Sequence, residues 1–211
     1  MTRTPRRAKL DLTGPYEGRE RNEWETTTAA LVRMHPLNPK EIVEVVLATW
    51  NGIFESRIGD RGFRLGIDIR PKPQIMGHYL HELIPLEFQL RYPGQWRRES
   101  SKHEKDLVHI PDVRFSVEIK SSSHPTQIFG NRSYGQASRV TEIGRKGKSG
   151  YYLAINFAKF GDSEVLPHIV RIRFGWLDLS DWRSQKSATG QQANLEPFSE
   201  RTKLLKIYEA P

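Results

Sequence analysis

Two residues of the segment VEIKSSS, Glu118 and Lys120, have side chains whose types and spacing suit phosphodiester chemistry. Residues two apart on a β-strand lie on the same face, so a strand here places the carboxylate beside the ammonium group while Ile119 points into the core. A carboxylate helps to hold a hard divalent cation, and an ammonium group stabilises negative charge that builds on a phosphate. The segment is the only Glu-x-Lys or Asp-x-Lys in the chain. It is therefore the first candidate for a catalytic site.

Such a cation site needs a second carboxylate, and two aspartates precede Glu118. If Pro111 to Val113 form the turn of a hairpin, Asp106 lies directly opposite Glu118, with the two Cβ atoms about 5 Å apart. Asp112 then lies at the tip of the turn, about 20 Å from Glu118 along an extended strand. Asp106 is the predicted metal ligand, and Asp112 is the alternate that a shifted register or a strongly bent hairpin would favour.

The composition of the 211-residue chain indicates an anionic partner. Lys and Arg number 33 against 25 Asp and Glu, a net charge of +8, and the basic residues recur along the whole sequence. This favours nucleic acid over an acidic membrane surface, although a basic chain can also serve solubility alone. Cysteine is absent, so disulfides are excluded and a zinc site would need His and carboxylates only.

Residues 1–22 predict a basic, mobile N-terminal arm, and residues 23–211 predict a single domain. The arm is rich in Arg, Gly and Thr without hydrophobic periodicity, so it either lies along a phosphate backbone or is disordered. It has no apolar segment typical of a signal peptide, and no apolar run approaches the ~20 residues that a membrane span needs. We expect a cytoplasmic protein without a membrane partner.

Two helices are predicted before the catalytic segment. The first has Asn38 as its N-cap, Pro39 at its first position and Glu41 three residues past the cap. Its apolar positions at helical spacing are Ile42, Val45, Val46, Thr49, Trp50 and Ile53. The second helix covers QIMGHYLHELIPLEFQL, where Pro85 should kink or end it. Its predicted stripe consists of Met76, Tyr79, Leu80, Leu83 and Glu87.

Strands are predicted on both sides of IPDVR and further along the chain. The segment GYYLAINFA is typical of a fully buried strand. In PHIVRIRFGWL, Arg171 and Arg173 alternate with apolar residues, which predicts one apolar and one basic face. The last segment, TKLLKIY, is predicted as weakly helical after a polar stretch.

Several segments together resemble a known family. KDLVHIPDVRFSVEIKSSS, IFGNRSYGQ and FGWLDLSDWRSQKSATGQQANL are similar to type II restriction endonucleases of the PD-(D/E)XK superfamily, and specifically to the ScaI group. The resemblance covers roughly residues 74–206. One feature departs from the superfamily pattern, because the literal Pro-Asp pair, Pro111 and Asp112, falls on the predicted turn.

The resemblance implies an α/β fold with a PD-(D/E)XK restriction-endonuclease-like core, a mixed β-sheet flanked by helices. It further implies a Mg²⁺-dependent, site-specific deoxyribonuclease that acts as a homodimer on both strands of a short palindrome in double-stranded DNA, inside a prokaryotic cell. Asp106, Glu118 and Lys120 take the family's acid, acid and lysine positions, and Glu82 takes the place of a supporting helix carboxylate. If the resemblance extends to specificity, the target is AGTACT, cut to blunt ends.

Two other functions stay open from the sequence. One is a structure-directed DNA nuclease, such as a junction resolvase or a repair nickase, and the other is a non-catalytic DNA-binding protein on the same fold. Under each of them, polar residues after the catalytic segment are candidates for phosphate or base contacts. These predicted DNA-binding residues are Ser121, Ser122, Ser123, Asn131, Arg132, Ser133, Tyr134 and Gln136.

Overall fold

The structure is a computed structural model that describes residues 12–135, 147–161, 166–184 and 192–211. The α-helices are α1 (Trp24–Met34), α2 (Pro39–Glu55), α3 (Pro73–Arg91), α4 (Arg132–Gly135) and α5 (Pro197–Lys203). The first strands are β1 (Arg57–Ile58), β2 (Phe63–Arg64), β3 (Trp96–Arg98), β4 (Leu107–His109), β5 (Val117–Ser122) and β6 (Phe129–Asn131). The later strands are β7 (Gly150–Phe157), β8 (Ile169–Leu177), β9 (Trp182–Ser184), β10 (Gln192–Leu195) and β11 (Leu204–Glu209).

A six-stranded mixed sheet with the order β11-β8-β7-β5-β4-β3 organises the molecule. Strands β5 and β7 are parallel, and the other neighbours in this sheet are antiparallel. Helices α1, α2 and α3 pack against it, so the predicted α/β fold with a mixed sheet flanked by helices is confirmed. A hairpin of β1 and β2 lies apart from it, and β6, β10 and β9 form a smaller antiparallel sheet.

The two faces of the main sheet bury different clusters, because side chains alternate along each strand. On β7, Tyr151, Leu153 and Ile155 belong to the large core under the helices. Tyr152 and Ala154 belong to a second cluster that includes residues of the small sheet. The main sheet is therefore the middle layer between the helices and the small sheet.

Helix α2 matches its prediction closely. Asn38 accepts a hydrogen bond from the backbone of Lys40, Pro39 is the first helical residue, and the six predicted apolar positions are all buried. Helix α3 continues through Pro85 to Arg91, so of the two predicted effects of this proline the end of the helix is not observed. Pro85 is itself buried between Ile84 and Phe88, so packing against the core offsets the backbone hydrogen bond that a proline removes.

One prediction for the C-terminal half is wrong. The last segment is strand β11, paired with β8 at the edge of the main sheet, and not a helix. On β8, Ile172 and Phe174 face the large core while Arg171 and Arg173 lie on the other face, as predicted. Of the two arginines, Arg173 is only 6% exposed. Its guanidinium donates to Glu200 and to Asn156, and these partners compensate the burial of its charge.

The predicted N-terminal arm contacts the domain well before residue 22. Tyr16 is buried, donates or accepts a hydrogen bond with Thr28, and packs its ring against Trp24. Residues 1–11 lie outside the described part of the chain. Among the described residues, no helix is both long and apolar enough to cross a membrane.

Candidate active site

The hairpin of β4 and β5 brings the predicted catalytic residues together. Leu107 pairs with Val117, which is the predicted register. Continuing this register by one residue places Asp106 opposite Glu118. The connection is longer than the predicted turn, because residues 110–116 include a 3-10 turn at Val113–Phe115. The register survives this longer connection because Leu107 and Val117 are both core residues, and a slip by one residue would expose them.

Asp106 is fixed at the start of β4 by contacts with both neighbouring strands. Its Oδ2 accepts a hydrogen bond of 2.6 Å from the backbone N–H of Ile119, the residue between Glu118 and Lys120. Its carbonyl accepts from the backbone of Glu99 after β3. The Nδ1 atom of His81, on α3, lies 3.7 Å from the same carboxylate. The carboxylate of Asp106 is therefore held beside the Glu-x-Lys segment.

Glu118 and Lys120 project from the same face of β5, as predicted from their spacing. The Lys120 Nζ donates to Glu118 Oε1 over 2.7 Å, and the side chains are only 13% and 3% exposed, respectively. Ile119 points the other way, into the core under the helices. Burial lowers the pKa of Lys120, but the charges of Glu118 and Asp106 outweigh it and raise the pKa above its ordinary value. The lysine is therefore a cation, and the three side chains form one electrostatic group.

Tyr134 joins this group from α4. Its hydroxyl donates to Glu118 Oε1 over 2.9 Å, and its ring lies 5.1 Å from the Lys120 Nζ. Burial, and then the Glu118 charge, raise the pKa of Tyr134 far above its ordinary value, so the phenol stays protonated and donates. Sequence reasoning gave Tyr134 as a DNA contact, but the side chain is 7% exposed. Its hydroxyl contacts the Glu118 carboxylate inside the protein.

Asp112, the alternate metal ligand, is occupied elsewhere. It caps the 3-10 turn by accepting from the backbone of Arg114, and it forms a 2.7 Å ion pair with the Arg114 guanidinium. Hydrogen bonding to Arg114 lowers the pKa of Asp112 to about 2. These contacts are those of a turn residue, as expected for a Pro-Asp pair.

A cleft of about 750 Å³ opens beside Asp106. It lies between α3, the end of β5 and the small sheet, and its lining includes Glu82 and the three serines Ser121, Ser122 and Ser123. Glu82 forms a 2.7 Å ion pair with Arg98 at the cleft. Helix α3 comes close to β5 at Gly77, where a Cβ atom would lie 2.7 Å from the Ser121 hydroxyl.

Among the other predicted DNA-binding residues that the structure describes, Asn131 lines this cleft and Ser133 does not. Asn131 ends β6 on the cleft wall, and Ser133 is exposed with its carbonyl accepting from Lys148. Gln136 and the side chain of Arg132 lie outside the part of the chain that the structure describes. Sequence reasoning did not identify His81 or Gln192, which also line the cleft. His81 is adjacent to Glu82 in the chain, and only the rotation of α3 about its axis determines which of them approaches Asp106.

The donor set fits a small hard cation. Asp106 and Glu118 offer carboxylate oxygens, and within the described residues no cluster of three or more His, Cys, Asp or Glu side chains could hold a metal. Mg²⁺ takes one or two protein carboxylates and completes its shell with water and substrate phosphate oxygens. Asp106 lines the open cleft, and the Glu118 side chain on the neighbouring strand is 3% exposed. Two carboxylates are enough for Mg²⁺ and too few for a structural zinc site.

Comparison with known proteins shows the family of the chain. The family profile of the ScaI restriction endonuclease matches residues 14–208. The chain is 48% identical over 195 residues to the type II restriction enzyme ScaI of Streptomyces caespitosus, an alignment that covers 92% of this chain and 84% of that relative. The hairpin with its acid, acid and lysine residues thus lies inside the matched region, and the chain belongs to the ScaI restriction endonuclease family.

Proposed function

We propose that the chain hydrolyses double-stranded DNA at a short palindrome as a Mg²⁺-dependent homodimer, with Asp106 and Glu118 as metal ligands and Lys120 as the catalytic lysine. As a member of the ScaI restriction endonuclease family, the chain is a site-specific DNA endonuclease. One observation carries the assignment of residues. The Asp106 carboxylate is hydrogen-bonded to the backbone of Ile119, between Glu118 and Lys120, at the edge of an open cleft.

Asp106 and Glu118 would hold the metal ion from two adjacent strands. When bound, Mg²⁺ polarises the scissile phosphate and makes a water molecule more acidic. The two strands belong to the central sheet, so the carboxylates sit on a rigid support, which favours a defined cation position.

Lys120 supplies a fixed positive charge at the same place. Because Glu118 and Asp106 raise its pKa, the amino group stays protonated at neutral pH and stabilises the negative charge that builds on the phosphate during attack by water. Tyr134 orients Glu118 through its hydroxyl. Glu82 pairs with Arg98 and lines the cleft, so we assign it a supporting role at the cleft wall.

The substrate would lie along the cleft. Ser121, Ser122 and Ser123 continue from the catalytic strand into its lining, and hydroxyl groups at such positions suit phosphate oxygens. The net charge of +8 favours binding of the phosphate backbone. A palindrome has two equivalent strands, so a two-fold dimer places one active site on each strand. Because its substrate is DNA, we place the enzyme in the cytoplasm of a prokaryotic cell.

Cleavage of a sequenced plasmid in Mg²⁺ tests this function. We expect discrete, reproducible fragments whose ends map to one short palindrome, and ends at AGTACT would also support the specificity expected from the resemblance. Cutting only at junctions or lesions would instead support a structure-directed nuclease. Salt-sensitive DNA binding without cleavage, in a well-folded preparation, would support a non-catalytic DNA-binding protein.

A further inference from the structure

The small sheet has one buried and one exposed face at the cleft. Strand β10 lies between β6 and β9, with Ala193 paired to Gly130 and Leu195 paired to Trp182. Ala193, Leu195 and Trp182 are buried in the second hydrophobic cluster. Because side chains alternate along a strand, Gln192 and Asn194 project from the opposite face, and both are exposed.

The buried face holds the sheet against the active site. A Cβ atom at Gly130 would lie 3.0 Å from the rings of both Trp182 and Tyr134, and these two rings have centroids 4.8 Å apart. Tyr134 in turn donates to Glu118. The outer face therefore has a defined position relative to the catalytic carboxylates.

Asn131 and Gln192 are direct cross-strand partners on the outer face. Both line the same cleft as Asp106 and Ser121. Both are exposed, and among the described residues neither side-chain amide forms a hydrogen bond or an ion pair. Two neighbouring amides thus present donors and acceptors to whatever occupies the cleft.

A side-chain amide can donate to one atom of a base and accept from its neighbour at the same time. In the major groove, Asn and Gln form this bidentate contact with N6 and N7 of adenine, and a two-stranded ribbon fits the groove. We propose that Asn131 and Gln192 are specificity-determining residues, each of which contacts an adenine of the target site in the major groove. This inference rests on the proposed function, since it names the base that residues of the same cleft contact.

Binding measurements in Ca²⁺, without cleavage, test the inference. The duplex carries the site mapped on the plasmid, and a second duplex has that site scrambled. We expect Gln192→Ala and Asn131→Ala each to weaken binding to the mapped site by roughly 5- to 150-fold, which is the range for one bidentate base contact. Binding to the scrambled duplex should change by less than about twofold. Gln95→Ala and Asn51→Ala, which remove exposed amides elsewhere on the molecule, should change neither affinity.

Base analogues make the test specific to adenine. Replacing each adenine of the site in turn by 7-deazaadenine removes the N7 acceptor. For each of the two amides, we expect one replacement to weaken binding by the wild-type protein but not by the variant that lacks that amide. Equal losses on mapped and scrambled duplexes would show phosphate contacts and overturn the inference, as would unchanged binding of both variants. A wild-type protein that does not distinguish the two duplexes would overturn the proposed function itself.

Discussion

At the scale of single residues, the environment of Glu118 determines what the site can do. One of its oxygens accepts from both the Lys120 ammonium and the Tyr134 hydroxyl. Removing a buried carboxylate from water is costly unless such partners compensate it. These contacts fix the orientation of the carboxylate, which its proposed role as a metal ligand requires.

Tyr134→Phe should weaken the response of the enzyme to Mg²⁺ without unfolding it. The substitution removes only the hydroxyl that orients Glu118, and loss of such a supporting contact reduces metal affinity or activity by roughly 10- to 100-fold. The measurement is the Mg²⁺ concentration for half-maximal plasmid cleavage, together with thermal melting. Tyr208→Phe, on β11 at the far edge of the main sheet, is the matched control. An unchanged Mg²⁺ requirement in Tyr134→Phe would contradict the role of the hydroxyl.

His35 should make folding stability depend on pH. The backbone N–H of Leu37 donates to its Nδ1, so its Nε2 carries the proton and donates to the carbonyl of Phe115. Burial lowers the pKa of His35 to about 4. An unfolded histidine titrates near 6.5, so between these values the unfolded chain binds the additional proton. The folding stability that neutral His35 contributes is complete above about pH 6.5 and is lost as the pH falls toward 4.

Urea unfolding at pH 7 and pH 5 measures this effect. We expect the wild-type protein to lose about 2 kcal/mol of unfolding free energy between these values through His35, whereas His35→Asn should have a flatter dependence at lower overall stability. Carboxylates with a lowered pKa, such as Asp112, titrate below this range. If the unfolding free energies of the wild type and of His35→Asn change equally between pH 7 and pH 5, His35 is not the source of the pH dependence.

At the scale of elements, the sequence predicts the parts whose pattern is strong and local. The period of α2 and its cap, the uninterrupted apolar run of β7 and the register of the β4–β5 hairpin are all confirmed. The end of α3 and the nature of β11 depend on tertiary packing, which local propensity does not contain. Strands β6, β9 and β10 are three or four residues long, too short to show a period.

Gly175→Ala should destabilise the junction between α5 and β11. On β8, a Cβ atom at this position would lie 2.0 Å from the carbonyl oxygen of Lys203, so backbone must move to admit it. We expect a loss of roughly 3 kcal/mol. Gly52→Ala, in α2 with nothing within 4 Å of the added atom, should instead gain about 0.5–1 kcal/mol from helix propensity. Urea unfolding measures the stability of both variants. Equal stability of Gly175→Ala and Gly52→Ala would contradict the close approach at Gly175.

At the scale of the whole molecule, the part of the candidate site that lies on one hairpin was predictable from strand geometry. The alternation and register of one hairpin are enough to choose Asp106 over Asp112. Tyr134, His81 and Gln192 come from other elements, and their positions depend on how α3, α4 and the small sheet pack beside β5. No spacing rule along the chain relates them to Glu118.

A palindromic target also predicts the oligomeric state of the protein. We expect a two-fold homodimer, in solution or on DNA, because both strands must be cut by equivalent sites. Light scattering of the free protein and of its Ca²⁺ complex with a duplex measures the mass. A mass of one chain in both states would contradict a homodimer.

The central claim is that Asp106, not Asp112, holds the metal with Glu118. Matched variants Asp106→Asn and Asp112→Asn keep an oxygen that can accept the backbone hydrogen bonds of Ile119 and Arg114, so both should fold. Plasmid cleavage across a Mg²⁺ titration, with thermal melting of each variant, is the measurement. We predict that Asp106→Asn is inactive at every Mg²⁺ concentration, while Asp112→Asn cleaves like the wild type and loses at most about 1 kcal/mol of stability. An active Asp106→Asn beside a folded but inactive Asp112→Asn would contradict the account.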